Sequence, residues 1–320
     1  MTGDFLVGLN KPCFGGQYDH DLGNNQFSKW QPYLPNNLDT VRSFFSEVHD
    51  VDLVRIWLFE GMEGLIFDDD NDLISVERTF LESLKKILDL AAQRNIRVYL
   101  CLFDAWAAKH RPATLNAMAL IIHGTRFINN ALTKLCEFLS DHAPTIFAID
   151  LLNEPEGLIE YNITTWNELE STLNKWGNCL HNNYNFKCSV GWMRRKNAAR
   201  YSYLDVDFCD FHIYNESGEI PYYDRNDFGK KPCIIGECGY PVVDDTPRQL
   251  VLRRDYGVWI AKKMMIEAYN KFYHGILPWP IDGPQMDEAN RQLNSTVVQL
   301  ARQLKTGTNY FNNDSTSFTI

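Results

Sequence analysis

One periodic feature limits the fold of this 320-residue chain more than any other. Short apolar, β-branched runs alternate with longer segments whose apolar residues recur every three to four positions. The short runs lie at 5–10, 52–58, 96–103, 145–152, 186–192, 207–213, 232–237 and 275–279. Helical patterning covers 38–48, 76–94, 126–142, 164–183, 196–204, 246–273 and 286–305, with a weak helical signal at 222–228. A strand that is apolar along its whole length is buried on both faces, as happens in a parallel sheet covered by helices. Eight such units predict a single (β/α)8 TIM barrel spanning 1–320, with extended loops at the C-terminal face and a polar tail from about 306. No Gly-x-Gly-x-x-Gly turn follows the first run, which argues against a doubly wound dinucleotide-binding sheet.

Composition matters here for what it excludes. With 31 Lys and Arg against 41 Asp and Glu, the net charge of −10 disfavours nucleic acid as a partner, because phosphate binding needs surplus cations. The apolar runs are strand length, far short of the ~20 residues that span a bilayer, so no membrane partner is expected. The first residues carry no basic start and no apolar leader, and the reading is a cytoplasmic chain. Eight cysteines form no Cys-x-x-Cys pair and no zinc spacing, and Cys101, Cys188 and Cys233 read as buried thiols inside strands. Neither a metal nor a cofactor is expected.

In such a barrel the chemistry gathers where strands end at the C-terminal face. The polar residues of this chain fall there: Asn10 after the first run, Arg55-Ile56-Trp57 in the second, Asn153-Glu154-Pro155 after the fourth, His212-Ile213-Tyr214 in the sixth, Glu237 closing the seventh and Trp279 closing the eighth. Glycoside cleavage with retention needs one carboxylic acid to protonate the leaving oxygen and one carboxylate to attack, facing each other at about 5–5.5 Å. Glutamates at the tips of the fourth and seventh strands would point at each other across the mouth. The charge on Glu237 would keep Glu154 protonated until the glycosyl-enzyme forms, making Glu154 the acid/base and Glu237 the nucleophile. Around them, Asn153 is expected to donate to the sugar, Arg55 and Tyr214 to hold Glu237, His212 to orient a hydroxyl or Glu154, and Trp279 to face the sugar ring. Trp57, Trp106 and Trp192 are further substrate-binding candidates, since sugar sites pair aromatic platforms with polar groups. The long loop after the first strand, with Tyr18, Asp19, His20, Trp30 and Tyr33, offers more of the same.

Asn153-Glu154-Pro155, His212-x-Tyr214, Gly236-Glu237 and Trp279, in this order and spacing, resemble glycoside hydrolase family 5, the cellulase and β-mannanase family. The resemblance runs from Gly8 to Trp279. It implies a retaining hydrolase without cofactor, acting on an oligo- or polysaccharide, with Glu154 and Glu237 in the roles above and Arg55, Asn153, His212, Tyr214 and Trp279 as other site residues. Cellulases of the family place a His at the end of strand 3, where this chain reads Cys101-Leu102-Phe103-Asp104. The mannanase-like branch lacks that His and carries an Arg-x-Trp similar to Arg55-Ile56-Trp57, which leans the substrate toward β-mannan or a related β-linked glycan, with a β-mannan or β-glucan type polysaccharide as the expectation. Two other readings stay open: a carbohydrate-binding barrel without catalysis, and a metal-dependent sugar isomerase.

Overall fold

An apolar strand can bury both faces only if its sheet closes or is covered, and here both happen. The computed structural model describes residues 5–14, 21–27, 38–106, 112–123, 125–241, 246–281 and 286–306. The barrel strands are β1 Leu6–Asn10, β2 Leu53–Trp57, β3 Arg97–Cys101 and β4 Ile146–Asn153. They continue with β5 Cys188–Trp192, β6 Cys209–Tyr214, β7 Cys233–Gly239 and β8 Gly275–Pro278. Each pairs in parallel with its neighbours in chain order, and β8 returns to β1 to close the barrel. All eight expected strands form. The polar tail and most of the loop after β1 lie outside the described residues.

The helices sit where the 3.6-residue period places them. α1 covers Leu38–Glu47 and α2 Arg78–Gln93, whose Phe80, Leu84, Ile87, Leu88 and Ala91 face the sheet. Two helices were not anticipated: α3 at Pro112–His123, too uniformly apolar to show a face, and the five-residue α5 at Glu156–Glu160. The helix of 126–142 opens with a π turn at Ile128–Leu132 before α4, Thr133–Ser140. α6, Trp166–Tyr184, starts on a reciprocal Thr165–Glu168 capping box and ends at left-handed Asn185. α7 Arg195–Arg200, α8 Pro247–Asn270 and α9 Asp287–Thr306 complete the outer layer. Among the described residues no helix is long and apolar enough to cross a membrane.

Two local readings need correction. The weak helical signal at 222–228 is turn and extended chain. There the Asp224 carboxylate takes the Asn226 N–H, and Gly229 and Lys230 turn left-handed, so no helix propagates. A hairpin, Leu65–Phe67 with Leu73–Val76, also follows β2, unforeseen because each arm is only three or four residues long.

The barrel interior is layered by the two-residue period of its strands. Leu53, Tyr99, Ala148, Phe208, Ile234 and Leu277 form an apolar cluster separate from the large core between sheet and helices. Burying each such Leu or Ile contributes on the order of 2 kcal/mol. Two positions further along the same strands the side chains become Arg55, Asp150, Asp210 and Trp279. The plug thus ends where the polar layer begins.

Candidate active site

The polar layer is organised by Arg55, a fully buried guanidinium at the centre of the lumen. Its Nη1 donates to Glu237 Oε1 at 2.6 Å and to Asn10 Oδ1 at 3.1 Å. Its Nη2 donates to Asp150 Oδ2 at 2.6 Å and Asn153 Oδ1 at 2.8 Å. Burial works against that charge, and the negative groups around it, Asp150 and Glu237 among them, outweigh it, so the side chain stays cationic. Asn10 Nδ2 donates on to the Gly236 and Leu277 carbonyls, tying β1 to β7 and β8 beneath the site. Two glycines make room for the layer. A Cβ at Gly191 would lie 2.8 Å from Asp150 Oδ2 and 3.2 Å from Arg55 Nη2, and one at Gly236 would lie 2.2 Å from Asp210 Oδ1.

Above this layer stand the two glutamates. Glu154 leaves β4 in a left-handed turn, φ 46°, its N–H donating to Gly191 O. A residue preceding proline is disfavoured in the right-handed region, and the left-handed alternative costs about 1–2 kcal/mol for a side chain of this size. That turn brings Glu154 Oε1 to 2.8 Å from His212 Nδ1, while the Trp106 indole N–H donates to Oε2. Glu237 takes Arg55 on Oε1 and the Tyr214 hydroxyl on Oε2 at 2.8 Å, with His212 Nδ1 3.3 Å away. A register shift between Phe211 and His212 pairs His212 with Glu237 across β6 and β7. Oxygens of the two carboxyl groups and a His212 nitrogen lie within 4.8 Å of one another. A cation among them would compete with the Arg55 guanidinium already seated on Glu237.

The partners make the carboxyl groups unlike. Burial pushes the Glu154 pKa up, opposed by the Trp106 hydrogen bond and more distant Arg55 and Arg194. Burial lifts Glu237 as well, opposed by His212, Arg55 and the Tyr214 hydrogen bond. Burial also lowers His212, keeping the imidazole neutral, so it serves the pair by hydrogen bonding. Repulsion from Glu237 was expected to keep the proton on Glu154; removal from water is what raises Glu154, and the repulsion between the pair falls on Glu237 instead.

Of the residues singled out in the sequence, Arg55, Asn153, Glu154, His212, Tyr214 and Glu237 meet in one network, and Trp106 joins it through Glu154. Trp57 and Trp279 are partly exposed and pack on each other, ring centroids 5.2 Å apart. Trp192 is set apart from that network: its ring is buried and stacks on Tyr201 at 4.9 Å, so that face is covered by protein. The strand-1 loop residues Tyr18, Asp19, His20, Trp30 and Tyr33 fall outside the described residues. Asp21, inside that loop, is buried and accepts the Phe14 N–H, a loop-tying role.

Sequence reasoning passed over Asp150, Asp210 and Tyr99. Asp150 holds Arg55 and accepts the Gly191 N–H at 2.9 Å, and Asp210 takes the Tyr99 hydroxyl at 2.8 Å and the Gly236 N–H at 2.7 Å. The signal was present, for an aspartate inside an apolar strand must be paired or neutral. Asp104, quoted above only within the run that ends the third strand, accepts from Asn153 Nδ2 at 2.8 Å.

No family model and no curated protein matches the sequence. The architecture itself is the (β/α)8 barrel, and solved structures share it over nearly the whole chain. The β-mannanase from the blue mussel Mytilus edulis is 20% identical with a TM-score of 0.65, over 92% of this chain and 91% of that one. The β-1,4-mannanase from the sea hare Aplysia kurodai is 19% identical, TM-score 0.67, over 93% of each chain. The β-1,4-D-mannanase from Cryptopygus antarcticus is 20% identical, TM-score 0.66, over 92% and 90%. At such identities the likeness is one of fold.

Proposed function

We propose that this chain is a retaining β-glycoside hydrolase acting on an oligo- or polysaccharide, with β-mannan as the preferred substrate class. The observation that carries the reading is a facing pair of carboxyl groups in unlike settings, close enough for double displacement and too close to leave room for the water of an inverting enzyme. Glu154, protonated through burial, gives its proton to the leaving oxygen while Glu237, aimed by Arg55 and Tyr214, attacks the anomeric carbon. The Glu154 carboxylate then takes a proton from water, which displaces the sugar from Glu237. Asn153, held between Arg55 and Asp104, contacts the sugar in this reading. The partly exposed Trp57–Trp279 pair supplies the apolar surface for its ring. The mannan assignment is supported by the barrel shared with three β-mannanases and by Arg55-x-Trp57 without a His at the end of β3.

The test is a screen over β-mannan, β-glucans, xylan and aryl β-glycosides, with a 2-fluoro glycosyl probe to trap the intermediate. Hydrolysis of β-mannan with the label on Glu237 is expected. A label elsewhere overturns the roles, and turnover of another glycan alone overturns the substrate.

A further inference from the structure

The opposite end of the barrel carries a second cluster of chemically capable side chains, at the starts of strands whose other ends form the mouth. His181 lies in the last turn of α6, Cys188 opens β5, and Asp207 precedes β6. His181 Nε2 is 2.9 Å from Asp207 Oδ2 and 3.5 Å from Cys188 Sγ, and the three donor atoms lie within 4.8 Å of one another. His181 Nδ1, on the far side of the ring, is 3.1 Å from Asp205 Oδ2. We propose that His181, Cys188 and Asp207 form a binding site for a thiolate-seeking divalent cation such as zinc, clamping α6, β5 and β6 together at the base of the barrel.

Several features support the geometry. A zinc ion sits about 2.3 Å from a thiolate sulfur and about 2.0–2.1 Å from an imidazole nitrogen, so a tetrahedral angle sets those atoms about 3.5 Å apart, the spacing found. A ligating histidine characteristically donates its other N–H to a carboxylate, the part Asp205 plays. Gly177, midway along α6, lets the 205 segment close onto the helix, since a Cβ there would lie 2.4 Å from the Asp205 carbonyl oxygen. Asp207 is also held, its Oδ2 accepting the Cys188 N–H at 2.7 Å. The Cys188 side chain is buried, whereas the His181 and Asp207 side chains are 25% and 34% exposed, leaving an entry path and a place for water as fourth ligand. Soft sulfur with imidazole selects zinc, cadmium or cobalt over magnesium or calcium. Binding converts the Cys188 thiol to thiolate and frees the ring nitrogen of any second proton, and those protons pass to solvent.

The full-length protein, stripped with chelator and dialysed, is titrated with zinc, and separately with cobalt as an optical probe. One equivalent of zinc is expected to raise Tm by roughly 5 °C at saturation, with no response to magnesium. Cobalt is expected to give a thiolate charge-transfer band. Cys188→Ala should lose the band, and His181→Gln, at a part-exposed position, should cut zinc affinity at least tenfold while leaving the metal-free Tm nearly unchanged. No zinc response, an equal response in His181→Gln, or cobalt binding without the thiolate band overturns the proposal.

Discussion

The mouth and the base of this barrel both collect ionisable side chains, and they do so under opposite rules. At the mouth, Arg55, Asp150, Asp210 and Glu237 lie at or near zero exposure, and each charge is answered by another or by a hydrogen bond. At the base, His181 is quarter-exposed between two aspartates that themselves reach water. Removing one member of a buried ion pair strands its partner without water, whereas a part-exposed group can be rehydrated. The mouth is therefore a preorganised device sensitive to any single change. The base tolerates change and can admit a ligand.

The largest expected effect is at the mouth. Glu237→Gln should lower turnover of β-mannan by on the order of 10⁴-fold or more, measured as initial rates, because the proposed nucleophile is removed. A loss below tenfold would remove Glu237 from the reaction. Next, Glu154→Ala should cost about 10²–10⁴-fold on a glycan and far less on aryl glycosides whose leaving groups need little protonation. Equal losses on both substrates would deny Glu154 its acid role.

Stability sharpens the contrast directly. Asp150→Ala breaks a fully buried pair with Arg55 and should destabilise by about 3–5 kcal/mol in denaturant unfolding, while His181→Gln at the base should stay within about 1 kcal/mol of wild type. Comparable losses at the two ends would erase the distinction drawn here. The smallest effect is a pH dependence. Folding raises the Glu154 pKa above its unfolded value, so the folded chain binds that proton more tightly. Its contribution to stability is present below the unfolded pKa and is lost as pH rises through the folded one. Glu154→Gln, which cannot ionise, should therefore lose less Tm than wild type as pH climbs out of the carboxylate range. Parallel Tm profiles would mean that burial does not hold the proton on Glu154.

Much of the mouth was legible because strand ends in a parallel barrel must converge, so Glu154 and Glu237 could be paired from the positions of their strands alone. What stayed hidden were residues whose role depends on a partner far along the chain. Asp150 gives a polar interruption in an apolar strand, but nothing in its neighbours names Arg55. Trp192 shows the other direction: an aromatic at a strand end suits a sugar platform or a packed ring equally well, and only the structure shows that Tyr201, nine positions on, stacks on its ring.

By itself the amino-acid order determined the eight strands, the parallel barrel and the face on which the two glutamates emerge, because periodicity and strand polarity are local properties that sum to one topology. Only the tertiary structure decided which side chains share a proton or a charge. That choice depends on distances of two to four ångströms and on the exclusion of water, both set by register shifts, a left-handed turn at Glu154 and the space left at Gly191 and Gly236. The cluster of His181, Cys188 and Asp207 is the clearest case, since three residues that read separately as part of a helix, a buried thiol and the start of a strand come together when the barrel closes.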